Sequence, residues 1–370
     1  MLVHLSGSAA DEKHLPTFYE VVEKNFDRWA HGTKGVLTDK RINQMVLNPE
    51  IRGAEAAAVA AMHCYQTKLG TEAHELSRAF LLERRKENSD LRRDQKESGV
   101  NVAGNYMGFL KHINSAPRRA FAVEKPSLDT ITQGHLGDCY FVAAVGSWAH
   151  RHPEKVLQLI HSPDDRSYEV RFMNGSHVTV PAMTDCQLAL GSNAGQQGIW
   201  LNVLEIGAGI VEEKQRKITN ELPLDTLGGG GDAAYAIQLL TGHKAVKHYI
   251  RPAVKGKHPA PDDKEVGHLA SKFTLHIRRG LDHGRIVCVN IGDWKIPPGL
   301  VNKHVYAILG MKHGYVELWN PWGYKHHFEP KGKPGLENGY YTEGGRFSVP
   351  IHDFIRVFGT VSIESDQPIK

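Results

Sequence analysis

A single cysteine, Cys139, follows a Gly-Asp turn and leads an apolar run in 133-QGHLGDCYFVAAVGSWAHRHPEKVL-157. Tyr140 to Val145 read as helix, which puts the cysteine in a helical first turn. There the helix dipole and free backbone N–H groups stabilise a thiolate. The same N–H groups can stabilise an oxyanion beside the sulfur. Gln133, six residues earlier, can bring its side-chain amide to the same place. A lone cysteine beside apolar residues is otherwise a buried, inert thiol. The choice between these readings rests on residues far downstream.

In 302-NKHVYAILGMKHGYVELWNPWG-323, His304 starts one β-like run and Asn320 ends the next. His313-Gly314 reads as the turn between them. A hairpin of this kind carries both side chains to one edge. The imidazole can then take a thiol proton, and the asparagine carbonyl can fix its tautomer and orientation. Trp322 can shield that pair from water. With 22 histidines in the chain, His304 alone says little. Gln, Cys, His and Asn in this order and in these local contexts say much more.

The elements that must position these groups fall into two textures. Residues 14–98 read as helices. In 15-LPTFYEVVEKNFDRW-29, Phe18, Val21, Val22 and Phe26 share one face. Segment 53–69 is alanine-rich, and 72–98 reads as a charged helix laced with ion pairs. The stretch 26-FDRWAHGTKGVLTDKRI-42 has the rhythm of an EF-hand. Its loop, however, puts Ala30, Gly32 and Lys34 at the first ligand positions and Arg41 at that of the bidentate glutamate. Calcium needs about six to eight oxygen ligands, so the shape is expected without the metal chemistry. Residues 99–126, with Gly, Asn and Pro, read as a linker of little regular structure. Beyond them short β-like runs appear at 167–174, 177–183, 285–292, 304–320 and 357–364.

Composition excludes several classes. The chain has 370 residues, enough for two or three domains. Its longest apolar runs, such as 54-AEAAAVAAM-62, fall far short of a membrane span, and no secretory signal opens it. A net charge of +4 is too small and dispersed to imply nucleic acid. Cys64, Cys139, Cys186 and Cys288 have neither zinc-ligand spacing nor disulfide density. A reducing, cytoplasmic setting is the simplest expectation.

The motifs QGHLGDCYFVAA, KHVYAILG and LWNPWG resemble, in order, the three catalytic motifs of the calpain family. Weaker likenesses lie in 200-WLNVLEIGAG-209, in Thr241-Gly242 after 228-GGGG-231, and in the closing stretch 346-RFSVPIHDFIRVFGTVSI-363. The resemblance covers about residues 125–365. It implies an α+β, papain-like core, with a helical lobe bearing the cysteine and a β-rich lobe bearing His and Asn. Helices of 1–98 and a linker of 99–124 precede that core. By resemblance Cys139 is the nucleophile, His304 the general base and Asn320 the orienter. Gln133 supplies part of the oxyanion hole, and Gly137, Asp138 and Trp322 support the site.

The departures carry expectations of their own. Tyr140 replaces the family's tryptophan. Lys303 replaces its glycine, placing a cation beside the imidazole that is expected to depress its pKa. After Asn-Pro-Trp-Gly the family has acidic calcium ligands, whereas this chain reads 323-GYKHHFEPKGK-333. The expected function is therefore a calcium-independent cysteine endopeptidase with no metal or cofactor. Its expected partners are protein or peptide substrates, itself included by a cut within about residues 99–121. The alternatives are a silent calpain-like scaffold, or transglutamination or deamidation on the same triad.

Overall fold

The computed structural model describes residues 15–68, 75–83, 101–162, 167–254 and 256–369. The chain divides into two compact units, Met1–Lys111 and His112–Lys370.

In the first unit, helix α1 (Phe18–Trp29) opens with a full capping box between Thr17 and Glu20. It buries Phe18, Val21, Val22 and Phe26, as its apolar spacing predicts. A turn with left-handed Gly32, Lys34 and Gly35 leads to strand β1 (Val36–Leu37) and helix α2 (Asp39–Val46). Arg41 donates Nε–H to the Trp29 carbonyl at 2.7 Å, so its side chain ties off the C-terminal end of α1. Helix α3 (Gly53–Lys68) follows. Of the charged helix expected over 72–98, residues 72–74 and 84–98 lie outside the described residues. Within it, strand β2 (Leu76–Ser77) pairs antiparallel with β1 before residues 78–83 turn helical.

The expectation of little regular structure over 99–126 does not hold. Helix α4 (Val102–Ser115) occupies half of it. Asn101 accepts the Gly104 N–H at 2.8 Å, an N-cap geometry. Val102, Tyr106, Phe109, Leu110 and Ile113 are buried at helical spacing, which outweighs the two glycines inside the helix. After it, Arg119 and Ala122 are hydrogen-bonded to Ile199 and Gln197. A cut within the described part of that stretch, 101–121, therefore requires ordered backbone to open.

The second unit starts its core with helix α5 (Cys139–Arg151), whose residues Tyr140 to Ala149 are all buried. A small sheet of β3 (Ile160–His161), β4 (Ser167–Arg171) and β5 (His177–Pro181) packs on helix α6 (Trp200–Arg216). Next come helix α7 (Ala233–Thr241), strand β6 (His243–Tyr249) and helix α8 (Asp263–Asp282). They are followed by strands β7 (Val287–Ile291), β8 (His304–Lys312), β9 (Tyr315–Trp319) and β10 (Arg346–Pro350). Helix α9 (Ile351–Val357) and strand β11 (Thr360–Pro368) close the unit. The large sheet runs β10-β9-β8-β7-β11-β6 with every pair antiparallel.

One face of that sheet, with Val289, Tyr306, Ile308 and Leu318, buries against Phe273 and Ile277 of α8 and Phe354 of α9. The other face receives α5. A Cβ on Gly146 would lie 2.5 Å from the Trp319 ring, so only glycine lets α5 come this close to the sheet. That close approach carries the first turn of α5 to the start of β8.

Candidate active site

His304 and Asn320 stand at neighbouring strand ends because β8 and β9 form the hairpin that the sequence implies. His313 and Gly314 take left-handed φ values of 49° and 82° at its turn, the backbone of a tight two-residue hairpin. Asn320 follows β9, and its backbone N–H donates to the Gly345 carbonyl at 2.8 Å. The His304 ring nitrogen Nε2 lies 2.9 Å from Asn320 Oδ1. Since a side-chain carbonyl only accepts, Nε2 carries the proton and Nδ1 keeps its lone pair. The Trp322 backbone N–H donates to the same oxygen at 3.0 Å. The Trp322 ring lies against the imidazole with centroids 5.4 Å apart. Both His304 and Asn320 are buried, at 5% and 0% exposure.

Burial pushes the His304 pKa down to about 4, against the opposing pull of the Asn320 hydrogen bond, and His326 adds to the depression. Lys303 does not act as the sequence suggests. Its ammonium is exposed and pairs with Asp293 at 2.8 Å, so it contributes nothing resolvable to the imidazole. What the family's glycine provides at that position is backbone freedom: Lys303 holds φ at 51°, in the left-handed region.

Cys139 sits half-buried at the first position of α5. Burial pushes its thiol up to about 11; the backbone amide of Val305 opposes this, the Asp138 carboxyl adds to it, and the amides of Tyr140 and Cys139 oppose it again. Val305 follows His304 directly, so the sulfur lies at the start of β8. No hydrogen bond joins Cys139 Sγ to His304 among the described residues. Burial thus favours the neutral form of both groups.

The segment before Cys139 is stitched in place from two sides. Gln133 N–H donates to the Pro321 carbonyl at 2.7 Å, which ties the glutamine motif to the asparagine motif. Gly323 approaches the Ile131 carbonyl so closely that any Cβ there would overlap it. Thr132 pairs with Asn193, and His135 N–H reaches the Leu190 carbonyl. The Gln133 side chain is placed differently from the sequence expectation. Its Nε2 donates to the Leu136 carbonyl at 2.9 Å and to Asp138 Oδ1 at 3.0 Å, so both amide hydrogens are engaged away from an oxyanion. Tyr140 fills the tryptophan position with its ring against Gly231 and its hydroxyl 3.2 Å from Glu212 Oε2.

Sequence reasoning missed one participant. Glu205, from α6, is fully buried, as is Asp138, and the two carboxyl groups interact with each other, which helps push the Glu205 pKa up. Its presence in 200-WLNVLEIGAG-209 was visible, but nothing local shows that the α6 face reaches the turn before Cys139. Among the described residues, no group of three or more His, Cys, Asp or Glu side chains is placed to hold a metal ion. No helix among them is long and apolar enough to cross a membrane.

The family model for calpain family cysteine proteases matches residues 110–363. No curated protein matches the chain.

Proposed function

The chain belongs to the calpain family of cysteine proteases, and from that premise we propose that it is a calcium-independent endopeptidase working through Cys139, His304 and Asn320. The observation that carries the reading is the buried 2.9 Å hydrogen bond from His304 to Asn320, which leaves Nδ1 basic at the strand start where the sulfur lies. His304 Nδ1 takes the thiol proton as Sγ bonds to the substrate carbonyl carbon. The carbonyl oxygen becomes an oxyanion facing the first-turn N–H of Cys139. His304 then returns the proton to the amine as the C–N bond breaks. Water, deprotonated by the same ring, releases the acyl group and restores the thiol.

Gln133 is the proposed second oxyanion donor, and to serve it must exchange one of its present acceptors for the oxyanion. The core corresponds to a papain-like pair of lobes, α5 and α6 on one side and the six-stranded sheet on the other. The α1–α2 unit corresponds to a degenerate EF-hand in which Arg41, at the position of the bidentate glutamate, hydrogen-bonds the Trp29 carbonyl at the end of α1. Calcium independence is supported by Asp129, an acidic residue four positions before Gln133. Its carboxylate is bound to Arg346 at 2.8 Å, which holds it below the usual carboxylate range. A cation-binding role would have to break that pair. His326 and His327 occupy positions where a hard cation needs oxygen.

Cys139→Ala tests the reading. The expected result is a folded protein with no new peptide termini formed from a denatured protein substrate, against clear hydrolysis by the parent chain. Cleavage retained by the variant contradicts it.

A further inference from the structure

Asp138 stands at the N-cap of α5, where a carboxylate ordinarily accepts the first-turn N–H groups. Here it makes no capping hydrogen bond. The carboxyl group turns inward and is fully buried. Oδ1 accepts the Gln133 amide, while Oδ2 receives no hydrogen bond from any amide, hydroxyl or cationic group among the described residues. The group beside it is the Glu205 carboxyl, itself fully buried and fixed from behind by the Ser192 N–H, 2.8 Å from Oε2 and 3.1 Å from Oε1. Gly191 leaves the room: a Cβ there would lie 2.7 Å from Glu205 Oε2. Two carboxyl groups buried side by side hold together only with a proton between them. Two buried like charges without a counter-ion repel at great cost.

We propose that Asp138 and Glu205 share one proton, and that this pair is a positioning device for the nucleophile: it withholds Asp138 from the α5 N-terminus so that the first-turn amides face Cys139. The inference deepens the peptidase reading and rests on it for its consequence, but not for its chemistry. The paired form also anchors Gln133 through Oδ1. Loss of the shared proton leaves two carboxylates, and Asp138 is driven from Glu205 toward the helix end, which attracts it. Capped by a carboxylate, the first-turn amides are closed to an oxyanion, and the added charge opposes thiolate formation.

The titratable groups facing the pair are Cys139 and Tyr140 on α5, with Glu212 of α6 and Tyr235 of α7 behind Tyr140. Among the described residues, no lysine, arginine or histidine figures among the groups that shift either carboxyl. Burial raises both carboxyls, and their mutual coupling belongs to the pair rather than to either residue. With the folded pKa raised, the paired arrangement is intact at low pH and lost as pH rises through that value.

Three chains test this: the parent, Glu205→Gln and Glu205→Ala. In the first variant the side-chain amide donates to Asp138 Oδ2 without a titratable proton, while its carbonyl still accepts from Ser192. Two readouts are taken across pH 5–10: kcat/KM on a peptide, and the rate of Cys139 alkylation by iodoacetamide, located by mass spectrometry. The other three cysteines are buried. Expected are an alkaline fall in parent kcat/KM, and a departure of the alkylation rate from a simple thiolate curve at the same pH. Both are to be absent in Glu205→Gln, whose two profiles run without a break across the pH at which the parent's change. Glu205→Ala should lose about 10²-fold in kcat at neutral pH, the cost of one oxyanion donor. Should Glu205→Ala fail to fold, the Glu205→Gln profile decides alone. An unchanged alkaline break in Glu205→Gln, or no break in parent alkylation, overturns the proposal. If the alkylation break is present and removed by Glu205→Gln but no peptide is cleaved, the shared proton stands and the peptidase reading fails.

Discussion

The histidine half of the site and the cysteine half are built by different means. His304 and Asn320 are held by two adjacent strands, and their buried hydrogen bond lies beside the Trp322 ring. Cys139 is held at the end of a loop whose shape depends on the Gln133, Asp138 and Glu205 side chains. The first arrangement is set by backbone geometry and changes protonation only on the acid side, as His304 titrates toward about 4. The second depends on polar side chains with protons to lose. Rigidity is thus given to the proposed base, while adjustability is left to the proposed nucleophile, whose sulfur makes no hydrogen bond to the ring among the described residues.

Breaking the rigid half should cost most. His304→Ala is expected to lower kcat by about 10³–10⁴, because it removes the proton carrier. Asn320→Ala should cost less, since the ring survives without its orienter. Steady-state kinetics on a peptide substrate checks the order, and an equal or larger loss at Asn320 reverses the roles. In the parent chain the histidine is deprotonated down to about pH 4, so kcat/KM should hold between pH 5 and 6.5, where a free imidazole would already be charged. The sign follows for stability: buried neutral His304 supports the fold fully above ~6.5 and loses that support as pH falls toward about 4.

Gln133→Ala probes the adjustable half. If the amide moves onto the oxyanion, kcat should drop by about 10²–10³ with KM little changed. If the amide only braces Asp138, the loss is smaller and the alkaline limb moves instead. A pH profile of the variant separates these outcomes.

Lys303→Gly should have a small effect. It relieves a left-handed backbone at a cost in unfolded-state entropy and one exposed ion pair, for a net change within about 1 kcal/mol by thermal unfolding. A large loss of activity would show that the cation matters to the imidazole after all. The smallest effect is expected from calcium: activity should be the same in a strong chelator as in millimolar calcium. A chelator-silenced enzyme revived by calcium contradicts the role given to the Asp129–Arg346 pair.

The rigid half was also the legible half. Strand alternation around His313-Gly314 and the local strings KHVYAILG and LWNPWG put His304 and Asn320 together without any tertiary knowledge. The apolar run after Cys139 likewise gave α5. Long-range pairing was not readable. Glu205 lies on another helix, and only the fold brings it to Asp138. Other omissions were avoidable. Helix α8 announces itself with an Asp262–Glu265 capping box and buried Val266, Ala270, Phe273 and Ile277 at helical spacing. Helix α4 is obscured in the sequence by the Gly, Asn and Pro of 99–126, although its apolar residues keep helical spacing. Strand β6, at the sheet edge with Lys and His along it, has no two-residue alternation strong enough to read.

The most direct test of the central claim is covalent labelling of the folded chain with a peptidyl electrophile that reacts only with an activated thiol, read by intact mass and peptide mapping. The expected result is a single adduct on Cys139, formed rapidly by the parent chain and at least a hundredfold more slowly by His304→Ala. Labelling of Cys139 at equal rates in both chains, or none in the parent, contradicts a nucleophile activated by His304.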